Sequence, residues 1–222
     1  MNMTKQDNSL RRFSLATSVL VLIVAGCTSS RHATQIHQAI AVLDSSDRVE
    51  SSNAASTLHQ FGIESIPQLM RTAQTDTGRK RSKAIFILGQ IGDPKICPQF
   101  EDLLKRDDPP LPAIDRAIII DILGEIGGKT YRTLFISMLH SETAPDVKYA
   151  LANRLSALGD ESGTIYLTQH WLSDLETQTD HRQQLAAIAL KKLYGVDFGI
   201  DVVRWRKWLK EDKGATQHQP AP

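Results

Sequence analysis

The side chains able to do chemistry in this chain are few and scattered. Seven histidines (His32, His37, His59, His140, His170, His181 and His218) are spread over it, and none stands at metal-ligand spacing from a cysteine or an acid. His59 and His140 fall near expected helix ends, where an imidazole can satisfy a carbonyl. The acid pairs Asp107-Asp108 and Asp160-Glu161 fall where turns and helix starts favour carboxylates, which argues against a glycosidase-like pair. Gly89-x-x-Gly92 and Gly124-x-x-Gly127 imitate phosphate loops, but neither follows a strand or ends in Lys-Ser/Thr. No catalytic residue, metal site or cofactor is expected, and the chain is not read as an enzyme. Three features remain: a thiol at Cys27, a basic run Arg79-Lys80-Arg81-x-Lys83, and the aromatic pair Trp205 and Trp208. The basic run opens a helix, where cations oppose the macrodipole. That local conflict points to a partner or lipid-headgroup contact, set against a plain solvated face.

Position gives Cys27 its meaning. Residues 1–12 carry Lys5, Arg11 and Arg12 against Asp7, and the uncharged, largely apolar run from Phe13 to Gly26 follows. A positive start, a short apolar stretch and small residues at its end make a secretory signal. The stretch falls short of the roughly 20 residues a membrane span needs. Val24-Ala25-Gly26-Cys27 resembles the lipobox of bacterial lipoproteins. The resemblance implies cleavage before Cys27 and a diacylglycerol thioether on its sulfur, usually with an amide-linked acyl chain such as palmitate. Thr28 in place of Asp implies transfer to the outer membrane in a diderm cell. Each buried CH2 adds about 0.8 kcal/mol, so two or more chains anchor stably.

The whole chain has 26 Lys/Arg and 25 Asp/Glu. Without residues 1–26 the counts become 23 and 24, so no nucleic acid or other polyanion is expected as a partner. With Cys27 lipidated, Cys97 has no partner within the chain, and Ile96-Cys97-Pro98 reads as a buried small apolar site.

The elements that must position these residues are written in a repeat. Five times a Leu is followed three places on by an apolar residue, with Gly at once or nearly so: Leu58…Gly62, Leu88…Gly92, Leu123…Gly127, Leu155…Gly159 and Leu190…Gly195. The glycines lie 30, 35, 32 and 36 residues apart. That period suits one helical hairpin per unit. Apolar stripes at helical spacing flank each corner, among them Val49, Ile165, Leu185 and Ile188, and no period-2 stretch predicts a strand. Ala54, Ala84, Ala117, Ala150 and Ala186 are expected to let helices approach, and the corner glycines to take positive φ.

The units resemble HEAT repeats, closest to the short type of the phycobilisome lyases, through Arg81-x-x-Ala84-Ile85-x-Ile87-Leu88-Gly89-x-Ile91-Gly92-Asp93-Pro94 and Ala117-Ile118-x-x-x-Ile122-Leu123-Gly124-x-Ile126-Gly127. The resemblance implies an all-α fold, an α-solenoid (α-α superhelix) of about five HEAT-like helical hairpins with a C-terminal capping helix. The expected organisation is a signal at 1–26, a tether at 27–34, the repeat domain at 35–213 and a disordered tail at 214–222. Trp205 and Trp208 resemble the Trp-x-x-Trp element that closes other bacterial arrays. They are expected to cover the terminal repeat, with partner binding as the alternative.

The expected function is that of a lipid-anchored cell-envelope scaffold or assembly factor binding a protein partner, with no small-molecule substrate. The alternatives are a bilin-lyase-like chromophore-attachment enzyme or chaperone, and a structural envelope component without a defined client. Partner binding, where it involves the singled-out residues, falls to Arg79, Lys80, Arg81, Lys83, Trp205 and Trp208. Replacing the lipid acceptor, Cys27→Ser, is expected to move the protein from the membrane to the soluble fraction on cell fractionation. Unchanged membrane association would show that something else holds it there.

Overall fold

The computed structural model describes residues 31–106 and 109–212. The signal at 1–26, Cys27, the acid pair Asp107-Asp108 and the tail at 214–222 lie outside them. The described residues are all-helical, without a β-strand. Helix α1 covers residues 31–41. It is followed by α2 (Arg48–Phe61), α3 (Ile66–Thr75), α4 (Gly78–Ile91), α5 (Cys97–Leu104), α6 (Ala113–Ile126), α7 (Arg132–Ser141), α8 (Pro145–Ala157), α9 (Glu161–Thr177), α10 (Asp180–Tyr194) and α11 (Val202–Asp212). Helix is already under way at Arg31, inside the segment expected to be a tether. There the His32 ring packs 5.1 Å from that of Phe61 and its Nδ1 lies 2.9 Å from Glu64.

The chain divides into two compact units, one ending at Ile122 and one beginning at Leu123. In the first, α3 packs on α4 and α2 on α4. Leu43, Leu58, Leu69, Ile85, Leu88 and Phe100 are fully buried there. In the second, α8 packs on α7 and α9, and α9 on α10 and α11. Its core includes Phe135, Val147, Leu151 and Leu155, with Leu175, Ala186, Leu190 and Trp205 toward the C-terminus.

The corners follow the repeat with one correction. Gly62, Gly92, Gly159 and Gly195 have φ of 52°, 70°, 74° and 75°, which an L side chain rarely adopts. In the third unit the positive φ falls on Gly128, at 52°, and Gly127 stays right-handed at −91°. Gly127 is small for another reason: a Cβ there would overlap the Tyr131 ring. After three of the corners the chain makes a 3-10 turn, at Gly62–Glu64, Pro94–Ile96 and Gly128–Tyr131. Asp93 therefore caps such a turn, accepting from Lys95 N at 2.9 Å, and α5 starts later, at Cys97.

Four apolar residues placed in stripes are exposed instead: Val49 (67%), Ile165 (37%), Leu185 (47%) and Ile188 (62%). In α10 the core stripe is Ala186, Ala187 and Leu190. At about 100° per residue, Leu185 and Ile188 fall on the opposite side.

Close approach depends on glycines inside the helices. A Cβ on Gly89 would stand 2.6 Å from the Ile122 side chain, and one on Gly124 2.6 Å from Arg154 Cδ. At Gly163 the obstruction is backbone: Ala152 O at 2.5 Å and Ser156 N at 2.6 Å. Ala would gain about 1 kcal/mol of helix propensity there. Backbone cannot step aside as a side chain can, however, and overpacking costs about 1–3 kcal/mol. Gly163→Ala is therefore expected to destabilise the protein, by up to about 2 kcal/mol net, in urea denaturation. A gain in stability would show that α8 and α9 are not in that contact.

Candidate functional site

Polar side chains in each unit reach across one repeat length. In the first unit Arg81 Nε donates to Asp115 Oδ2 at 2.8 Å, over 34 residues, and Ser82 donates to the other oxygen of the same carboxylate. Lys83 Nζ donates to Leu43 O at 2.9 Å and to Ser51 Oγ, 32 residues away. In the second unit Arg132 Nε donates to Asp160 Oδ2 at 2.6 Å over 28 residues, and Arg154 Nη2 to Glu125 at 2.8 Å over 29. Asp115 (1% exposed) and Asp160 (5%) are buried, so removing one partner of either pair costs more than at a surface pair. Asp160 also caps α9 through Ser162 N at 3.0 Å. The Ser162 hydroxyl, then Arg132, hold its carboxyl below the ordinary carboxylate range, despite burial. The stability it lends is full above that range and is lost as pH falls through the lowered pKa.

These contacts divide the basic run. Arg81 and Lys83 turn inward, the first onto a buried carboxylate and the second onto the chain end of α1. Lys80 lies 3.9 Å from Asp76 on its own side of the hairpin. Arg79 is exposed, and no ion pair of Arg79 occurs among the described residues. α4 begins without a side-chain cap and without an acid in its first turn, so that turn itself holds no anion to offset Arg79.

Arg79 and Lys83 instead border a cleft of about 600 Å3 between α2 and α4. The Lys83–Ser51 contact brings the starts of the two helices together, and Arg48 joins them there. Ser52 and Ser56 add hydroxyls along the α2 wall. Ala55, Phe86 and Ile87 form an apolar middle, and His59, Gln60 and Gln90 line the far part. No acidic side chain lines the cleft among the described residues. Arg48 was not singled out in the sequence. The signal available was its offset of about one repeat from Arg79.

The aromatic pair is split. Trp205 is fully buried against Leu175, Ala186 and Leu190, and its indole N–H donates to Gly199 O at 2.9 Å. Trp208 is part-buried, its ring 5.4 Å from Tyr194 and 6.1 Å from Phe198. Arg204, Arg206, Lys207 and Lys210 are exposed around them. Trp205 thus has no surface left to offer a partner, while Trp208 keeps part of its ring exposed beside it.

Cys97 is buried, and burial, with Asp93 nearby, pushes its thiol pKa up, away from the reactive thiolate. His140 Nδ1 sits 2.7 Å from Ile136 O, at the end of α7. No cluster of His, Cys and acids able to hold a metal occurs among the described residues, and no helix there is long and apolar enough to cross a membrane. Compared with known proteins, the chain matches no family model, no curated protein and no solved structure.

The inward and outward cations are separable by stability. Asp115→Ala strands the Arg81 guanidinium, which is expected to cost about 3 kcal/mol or more. Arg79→Ala removes an exposed side chain and is expected to stay within about 0.5 kcal/mol. Guanidinium denaturation of both variants checks this, and equal losses would contradict the division.

Proposed function

We propose that this protein is a lipid-anchored α-solenoid of HEAT-like hairpins, working as a non-catalytic protein-binding scaffold or assembly factor of the bacterial cell envelope. The observation that carries the reading is the recurrence of side-chain contacts at one repeat length within each unit, between 28 and 34 residues. Contacts at a fixed offset are what hairpins stacked by a constant translation produce. Stacked hairpins bind through extended surfaces, because each repeat adds a similar strip of exposed side chains.

The exposed apolar side chains Phe86 on α4, in the first unit, and Leu185 and Ile188 on α10, in the second, each offer a contact point to a protein partner. The anchor rests on the lipobox-like Val24-Ala25-Gly26-Cys27, and it places the array at a membrane face. The rigid inward pairs suit a scaffold, which gains affinity when its binding surface is ordered beforehand.

Photo-crosslinking in the native host tests the reading. A photoreactive residue at Phe86 or Ile188 is expected to give a discrete adduct with the same envelope protein from both positions. Equivalent residues at the buried Ile85 and Leu190 are expected to give none. No adduct from any exposed position along the array would overturn the scaffold.

A further inference from the structure

The geometry points to a second property: we propose that the cleft between α2 and α4 is a binding site for an organic phosphate, an oxyanion on an apolar body. Arg48, Arg79 and Lys83 face this cleft, and no carboxylate lines it among the described residues. Of the acids near the start of α2, Asp44 is exposed and outside the lining of the cleft, and the other two are engaged elsewhere. Asp47 caps the helix through Val49 N at 2.8 Å, and Glu50 accepts from the Ser45 hydroxyl at 2.5 Å. No ion pair of Arg48 or Arg79 occurs among the described residues, and the Lys83 ammonium is held by two neutral oxygens. An ammonium has three N–H donors, so one remains.

Three like charges converging on one space repel one another. A bound anion removes that repulsion, and a dianion removes more of it than a carboxylate. Phosphate monoesters carry close to two negative charges at neutral pH, their second ionisation lying near about pH 6. Their oxygens also suit two guanidiniums and an ammonium approaching from different sides.

The apolar body follows from the next part of the wall. Phe86 is 55% exposed although Ile85 and Ile87 beside it are buried. Its ring borders the cleft just past Lys83, one helical turn further along α4. A volume of about 600 Å3 lies within the usual range for small-molecule sites, about 300–1,000 Å3. A phosphate at the cationic end would put an attached apolar group over Phe86 and Ala55.

Calorimetric titration of the purified full chain with phenyl phosphate tests this. Saturable binding is expected, with a Kd of about 1 mM or tighter. Arg48→Ala and Arg79→Ala should each weaken it about tenfold, as removal of a charge-assisted contact does. Phe86→Ala should weaken phenyl phosphate while leaving inorganic phosphate unchanged. Lys129→Ala, an exposed cation of the second unit, should change neither and so controls for net charge. A parallel titration with dihexanoyl phosphatidic acid, below its micelle concentration, separates the two sources of the chemistry. Tighter binding than phenyl phosphate identifies a lipid headgroup, and weaker binding a soluble phosphate ester. Absence of saturation with both compounds, equal binding of benzyl alcohol, or binding insensitive to Arg48 and Arg79 would each overturn the proposal. None of these results depends on whether the array binds a protein.

Discussion

Every other feature of this protein depends on how closely its helices approach. A Leu-lined hairpin cannot bury its own apolar face, so it must lie against a neighbour, and the separation is set by the largest side chain caught between them. At Gly89, Gly124 and Gly163 that side chain has been deleted. Ile122 and Arg154 occupy the space at the first two, and the backbone of α8 occupies it at the third. Once helices are that close, polar groups on their inner edges leave water and need partners. Among the described residues no buried side-chain nitrogen or oxygen lacks one. Ser65 reaches the Leu58 and Gly62 carbonyls, and Ser51 the Leu43 carbonyl, each closing the end of a preceding helix.

The same closeness explains the charges. A carboxylate buried as deeply as Asp115 costs several kcal/mol in desolvation unless a cation and further donors reach it. Arg81 and Ser82 are those donors, and both come from the neighbouring α4. Asp160 repeats the arrangement in the second unit with Arg132 and Ser162, the latter from its own helix. Such pairs add little net stability over an apolar core. They do fix which residue of one hairpin faces which residue of the next, since a slip of one turn would strand both charges. Small apolar side chains alone would tolerate such a slip.

The hairpins were legible in the sequence because their signals are local. Gly at a corner, Leu four or five places before it and Ala further back all lie within one helix. Gly127 and Gly128 show a limit of the pattern: either fits it, and the positive φ falls on Gly128 while Gly127 packs against the Tyr131 ring. Leu185 and Ile188 show a second limit. In a helix with apolar residues on several sides, composition cannot say which side is inward, and the neighbours settle it. The cross-repeat pairs were not legible at all. Arg81 read as part of a surface charge run because its partner lies a full repeat away, on α6. Trp205 and Trp208 lie on one helix, but their unequal burial depends on how α11 meets α9 and α10.

The cleft between α2 and α4 belongs to this last class, and the comparison with its neighbours gives it meaning. Where α4 meets α6, the space between helix starts is closed by Arg81 on Asp115. Where α2 meets α4, the corresponding place holds Ser51, and Lys83 spans to it with no acid to meet. Arg48 and Arg79 then add charge where the neighbouring junction places a carboxylate. At one junction the fold meets the part-buried Arg81 with a carboxylate, and at the next it leaves Lys83 and the exposed Arg48 and Arg79 bordering an open cleft. Stability alone gives no reason for that difference, since one carboxylate near Ser51 would remove the repulsion. A ligand that supplies the missing negative charge from outside does give a reason, and it accounts for the open Phe86 ring beside the cations as well.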